Sequence, residues 1–186
     1  VFLLVGYGTK VGLVPLHNWL PDAHAEGPTP ISAVLSGLLL NVALYAVVRC
    51  KVLVEGSLHT SFARELMMGF GLLSVVVAAL LLSRQKDVRR LFAYSSVEHM
   101  GIITFAFGMG GPIANFAGLL HMTVHSLTKS AIFFTVGHAT QKTGTQVMDD
   151  IRGLVTISPL LGWGLALGTL AILGMGRIGT EIARRA

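Results

Sequence analysis

Cysteine is nearly absent from this chain: Cys50 stands alone in 186 residues. A single thiol excludes an internal disulfide and cannot supply a cysteine-ligated iron–sulfur cluster. Charge is scarce as well, at 12% of residues, against roughly a quarter in soluble domains. With 53% hydrophobic residues and a mean hydropathy of +0.71, the composition is that of an integral membrane protein. The start, Val1 to Val5, is already apolar, with no basic n-region and no small-residue cleavage site, so it does not read as a secretory signal. There is no initiating methionine either, and the expectation is that the N-terminal part of a longer protein is missing. Acidic residues are few, which leaves a net charge of +5 and a pI near 9.8. Nucleic acid is not the explanation. The basic residues sit mainly in short connections between apolar runs, where membrane topology accounts for them.

Length and pattern leave room for about six spans of about 20 residues. The first run, Val1 to Val14, is interrupted by Gly6, Gly8, Lys10 and Gly12 and broken by Pro15. A short piece, Leu16 to Ala25, follows before the turn-rich Glu26-Gly27-Pro28-Thr29-Pro30. Together these predict one discontinuous helix with a polar break, as transporters use to place backbone and charge near the midplane. Further runs cover Ile31–Val48, Leu66–Leu82, Leu91–Met109, Ile113–His138 and Val155–Leu173, with Gly108 to Pro112 as a tight link. The fold class is therefore an all-α membrane protein whose first helix is discontinuous.

Lysine and arginine set the orientation. Ser83–Arg90 holds Arg84, Lys86, Arg89 and Arg90 against Asp87 and is expected to face the cytoplasm. Parity then places Pro15–Pro30 and Ala139–Gly153 inside, and Arg49–Glu65 (with Arg49, Lys51 and Arg64) and Gly110–Pro112 outside. The tail beyond the last run conflicts with this rule, because it carries Arg177, Arg184 and Arg185 on the outer side.

Within the oily fifth run, His121, His125 and Lys129 follow one another at intervals of four. On a helix they stack along one face, drifting about 40° per step and spanning about 12 Å of rise. Titratable groups are expensive in hydrocarbon, so such a row predicts a polar seam or an ion path. Steps of about 6 Å are too long for direct proton hops, so water is expected to bridge them. A metal is the rival use of His121-Met122-Thr123-Val124-His125, but Met122 stands where a metalloprotease motif needs glutamate. Lys10 reads as a lysine snorkelling from a helix end, as one exposed only because the chain is cut short, or as a buried amine able to exchange protons; Pro15, close by, favours the last. Glu98 and His99, in mid-run, serve a structural pair with a neighbouring helix or a relay. Asp22, His24 and Glu26 fall in the loop exit, solvated by default or gathered for proton uptake. Asn41, central in its run, reads as helix–helix glue.

These stretches resemble the antiporter-type membrane subunits of respiratory complex I, the Mrp cation/proton antiporters and the membrane-bound hydrogenases, most closely those of the hydrogenase-4 type. The resemblance is carried by Lys10 with Val14-Pro15-Leu16-His17-Asn18-Trp19-Leu20-Pro21-Asp22-Ala23, by Gly27-Pro28-Thr29-Pro30-Ile31-Ser32-Ala33, by Lys86-Asp87-Val88-Arg89-Arg90-Leu91-Phe92-Ala93-Tyr94-Ser95-Ser96, and by the His121/His125/Lys129 helix. It covers about residues 1–168, read as a fragment of the antiporter-like transmembrane domain. The resemblance implies inverted five-helix bundles, each with a broken helix, with Lys10 as the broken-helix lysine and His121, His125 and Lys129 on the connecting path; with Glu98 and His99 these are the candidate path residues. It also implies a non-redox, proton- or Na⁺-translocating subunit without a cofactor of its own, in the prokaryotic cytoplasmic membrane. Its partners would be other membrane subunits and a peripheral redox arm. Asn41 and Ser36 stand where relatives carry lysine or histidine, and the partner glutamate of Lys10 and the terminal charged residue of the second bundle lie outside these residues. A truncated structural fragment and an Mrp-type Na⁺/H⁺ antiporter subunit are the alternatives.

Residues 169–186 read in two ways. They continue the last helix, or they are a foreign piece joined near Gly168. Gly174-Met175-Gly176-Arg177-Ile178-Gly179 after the apolar Leu170–Leu173 resembles the nucleotide fingerprint of NAD-dependent 2-hydroxy-acid dehydrogenases. The rest of a βαβ unit is absent, which argues against NAD binding.

Overall fold

The structure, a computed structural model, describes residues 1–58, 60–151 and 154–173. It is helical, with a single isolated antiparallel bridge, Asp87 with Val147, and no strand among the described residues. The expected discontinuous helix is present: α1 (Phe2–Val11) stops at Gly12 and α2 (Trp19–Glu26) resumes after a seven-residue connector, 12–18. Gly12 takes the left-handed conformation (φ 80°) that ends a helix without a Cβ penalty, and the Leu13 amide closes the turn on Gly8 O at 2.9 Å. The connector is less polar than the sequence led us to expect. Leu13 and Val14 are buried with Val11 and Leu20 in the core. The freed backbone is satisfied by side chains: the Val14 amide donates to Ser74 Oγ (2.9 Å), and Trp19 Nε1 donates to Thr9 O (2.7 Å).

α3 (Thr29–Val34), a π-helical turn (Leu35–Leu39) and α4 (Leu40–Leu58) run as one 30-residue helix. The π turn has a cause in its neighbours. Asn41 Nδ2 donates to Gly37 O (3.0 Å) and the Ser126 hydroxyl donates to the same carbonyl, so side chains intrude on the helical ladder. The stretch from Arg49 to Leu58, expected as an outer connection, is helix. Lys51 is buried there and donates to Phe107 O (2.8 Å), while Arg64 Nη2 donates to Met109 O (2.9 Å). Two cations thus cap the last carbonyls of α6, where the helix dipole favours them.

α5 (Phe62–Leu82) and α6 (Val88–Met109) pack closely along small residues. A Cβ on Gly101 would lie 2.8 Å from Gly71 O, and one on Gly71 would lie 2.7 Å from Phe105 N. Close backbone approach of this kind is how helices associate where lipid removes the hydrophobic drive. Asp87 caps α6, accepting from the amides of Arg89 (2.8 Å) and Arg90 (3.0 Å). The link at Gly110 (φ 69°) turns the chain into α7 (Gly111–Thr143), whose 33 residues rise about 50 Å. α8 (Leu154–Ile157) and α9 (Pro159–Leu173) follow, α9 against α7.

By length and apolarity, 29–58 and 62–82 qualify to cross a membrane; α6 and α7 have the length, but polar residues dilute their apolar character. Leu170–Leu173, ahead of the glycine fingerprint, is helical and continues the apolar helix begun at Pro159. The glycine fingerprint from Gly174 onward lies outside the described residues.

Candidate functional site

The row on α7 faces inward. His125 and Lys129 are buried, His121 is half-buried, and the facing side of α6 supplies buried Ser95, Glu98 and His99. Phe92, Ser95 and His99 recur at three- and four-residue steps, so they form one stripe of α6 turned toward α7. The two stripes interdigitate. His99 Nδ1 lies 2.8 Å from His121 Nε2, and the His99 ring centroid lies 5.5 Å from that of His125. Lys129 Nζ donates to Ser95 Oγ (2.7 Å) and to Phe92 O (3.1 Å).

This changes the expected geometry of the row. A histidine from α6, not water alone, spans the gap between successive α7 histidines. Along the seam, Glu98 Oε2, His99 Nε2 and His125 Nε2 are buried without a hydrogen-bond partner among the described residues. Unsatisfied buried polar atoms are costly, about 1–3 kcal/mol each, and their clustering marks a site rather than a packing accident. An ammonium carries three donors, and Lys129 meets two acceptors among the described residues, which suits the neutral amine as well as the cation. Such a row can pass a proton between nitrogens, with the Glu98 carboxyl buried beside it. Glu98 forms no ion pair within 4 Å among the described residues.

Lys10 differs from the expected buried amine. It is exposed, at the end of α1, beside a groove of about 320 Å³ lined by Thr9, Trp19, Leu35 and Leu39. The structure does not bring it to the α6–α7 seam. Asn41 is glue in the sense expected: its Nδ2 donates to Met122 O (3.2 Å) and Ser126 Oγ (2.9 Å) on α7. Ser36 pairs with Ser96 Oγ (2.9 Å) and links the π turn to α6.

His24 was misplaced by the sequence reading. Far from a solvated exit, it is wholly buried on α2 and stacked on Phe133 at 4.5 Å, with neither ring nitrogen partnered among the described residues. Its place one helical turn before the Gly27-Pro28 corner was the available signal. Asp22 does lie at the surface, 2.9 Å from Arg90. Ser95 was also missed, although its spacing from Phe92 and His99 on α6 would have revealed it. Among the described residues no group of three or more histidines, cysteines or carboxylates is arranged to hold a metal.

An all-helical bundle with a broken first helix and a buried seam of histidines, a lysine and a glutamate defines a membrane subunit of the antiporter-like class. The chain belongs to the NADH:quinone oxidoreductase/Mrp antiporter transmembrane family, whose model matches residues 1–179. It is 63% identical over 179 residues to a hydrogenase-4 component F homolog of Methylacidiphilum infernorum, covering 96% of this chain and 38% of that protein. It is 34% identical over 185 residues to NAD(P)H-quinone oxidoreductase chain 4 of Prochlorococcus marinus, covering 98% of this chain and 34% of that one. Among solved structures, a chain of the archaeal membrane-bound sulfane sulfur reductase superposes with a TM-score of 0.84 at 32% identity, over 92% of this chain and 36% of that one. A chain of the Mrp complex from Dietzia shares the fold, with a TM-score of 0.75 at 21% identity, over 97% of this chain and 36% of its own. The chain thus spans little more than a third of the length of these relatives.

Proposed function

We propose that the chain is the part of a non-redox, ion-translocating membrane subunit that carries its central proton relay. The observation that carries this reading is the contact of His99 with His121 across α6 and α7, continued through His125 to Lys129. The assembly would be a hydrogenase-4-type or NADH:quinone oxidoreductase-like complex in the cytoplasmic membrane of a prokaryote, with a peripheral redox arm. Electron transfer in that arm would drive protons, or Na⁺, along the row. The bundle would span the membrane about six times, with Arg89 and Arg90 on the cytoplasmic side, where excess basic charge is retained. Lys10, exposed on this chain, would join the path through residues beyond it.

The test is Lys129→Ala in the complete complex, assayed in inverted membrane vesicles by quenching of a pH-sensitive dye. Proton uptake per electron should fall at least about tenfold, equivalent to roughly 1.4 kcal/mol, with redox turnover of the peripheral arm retained. Unchanged proton uptake overturns the reading.

A further inference from the structure

Arg89 stands in the first turn of α6, an unfavourable place for a cation beside the helix N-terminus. Its guanidinium is nonetheless heavily engaged. Nη1 donates to Gly27 O (3.1 Å) and Ala25 O (3.4 Å), and Nη2 donates to Thr29 Oγ1 (3.3 Å) and Thr140 Oγ1 (3.2 Å). One planar fork therefore holds the end of α2, the start of α3 and the last turns of α7, as only a guanidinium can. The carbonyls it meets at the end of α2 are those the helix itself leaves unpaired. The neighbouring ion pair, Arg90 with Asp22, is mostly exposed and contributes little.

What this fork fixes is close to the titratable row. Ala25 follows His24 directly, and His24 stacks on Phe133, one turn of α7 beyond Lys129. Packing on the other side is tight, since a Cβ on Gly137 would come within 2.1 Å of the Thr29 side chain. α3 is thus seated on α7, while the second half of the broken helix packs on α6 and touches α7 through His24. Its loose end is held by Arg89.

We propose that Arg89 is a positioning residue which pins the second half of the broken helix, and with it His24, over the Lys129 end of the α7 row. The role rests on the proton-relay reading above and adds His24 to it: its two ring nitrogens, without hydrogen-bond partners among the described residues, extend the row from α7 onto α2. Loosening the fork lets α2 shift, and the ring leaves its place on Phe133.

The experiment compares proton uptake per electron in the complete complex for Arg89→Gln, His24→Gln, the double variant and Lys129→Ala, each normalised to subunit abundance in the membrane. Arg89→Gln and His24→Gln should each lower the ratio at least fivefold, and the double variant should pump no worse than His24→Gln. A purely structural arginine instead lowers abundance without changing the normalised ratio, or its loss multiplies with that of His24; either outcome overturns the proposal. If Arg89→Gln does not accumulate, Thr140→Val removes one arm of the fork and carries the same comparison. Lys129→Ala separates the two claims. If it pumps normally, the relay reading itself falls; if it is inactive while Arg89→Gln and Thr140→Val pump within twofold of the parent, only the positioning role falls.

Discussion

His99 Nδ1 and His121 Nε2 meet at 2.8 Å across the α6–α7 interface. Two imidazole nitrogens at that distance share one proton, so the tautomer of one ring dictates that of the other. Replacing His99 with leucine removes the shared proton and the ring that bridges His121 to His125. Proton uptake per electron should drop at least about tenfold, or roughly 1.4 kcal/mol, while redox turnover persists. Dye quenching in vesicles beside a redox assay checks both.

The α7 row and the broken first helix were legible because each is a local pattern: i, i+4, i+8 spacing in one case, glycines and Pro15 in the other. The partners of that row were not, because they depend on how α6 rolls against α7. Glu98 and His99 are adjacent in sequence, yet only packing shows His99 inserted between His121 and His125. His24 and Lys51 were assigned to connections from their charge or polarity, and burial decided otherwise. In both cases a backbone carbonyl or an aromatic face on a distant helix supplied the partner. For Lys10 the outcome is the reverse: Pro15 close by favours burial, but nearness to a helix break does not say which side of α1 is covered, and Lys10 is exposed.

Ser95 supplies an acceptor to Lys129. Its hydroxyl accepts from Nζ at 2.7 Å. Ser95→Ala leaves a wholly buried amine with Phe92 O as its remaining acceptor among the described residues. The loss should cost about 1–3 kcal/mol, read as a lower melting temperature of the detergent-purified complex. Ser95→Thr, which keeps the hydroxyl, should recover part of it.

The α5–α6 contact has no room at Gly101. A methyl there meets Gly71 O at 2.8 Å and Ser74 Cβ at 2.9 Å, and a backbone oxygen cannot swing aside as a side chain would. Gly101→Ala should destabilise by about 1–3 kcal/mol, and Gly101→Leu should prevent accumulation of the subunit. Quantitative immunoblotting of membranes, with Gly69→Ala as control, decides the point, because nothing lies within 4 Å of a Cβ at Gly69.

Asn41 places its amide nitrogen among three acceptors: Gly37 O at 3.0 Å, Met122 O at 3.2 Å and Ser126 Oγ at 2.9 Å. Only a donor fits that position, which also fixes the amide's orientation, with Oδ1 turned away and unpartnered among the described residues. Asn41→Asp exchanges the donor for a carboxylate oxygen facing two carbonyls, Gly37 O on its own helix and Met122 O across the interface. It should therefore be worse than Asn41→Ala, although aspartate is the closer match in shape. Deletion to alanine loses the glue and orphans the acceptors, about 1–3 kcal/mol, whereas the aspartate adds repulsion that a buried site cannot screen. Melting temperatures of the two variants in detergent test the order, and an aspartate variant as stable as the parent would show that the π turn does not depend on this donor.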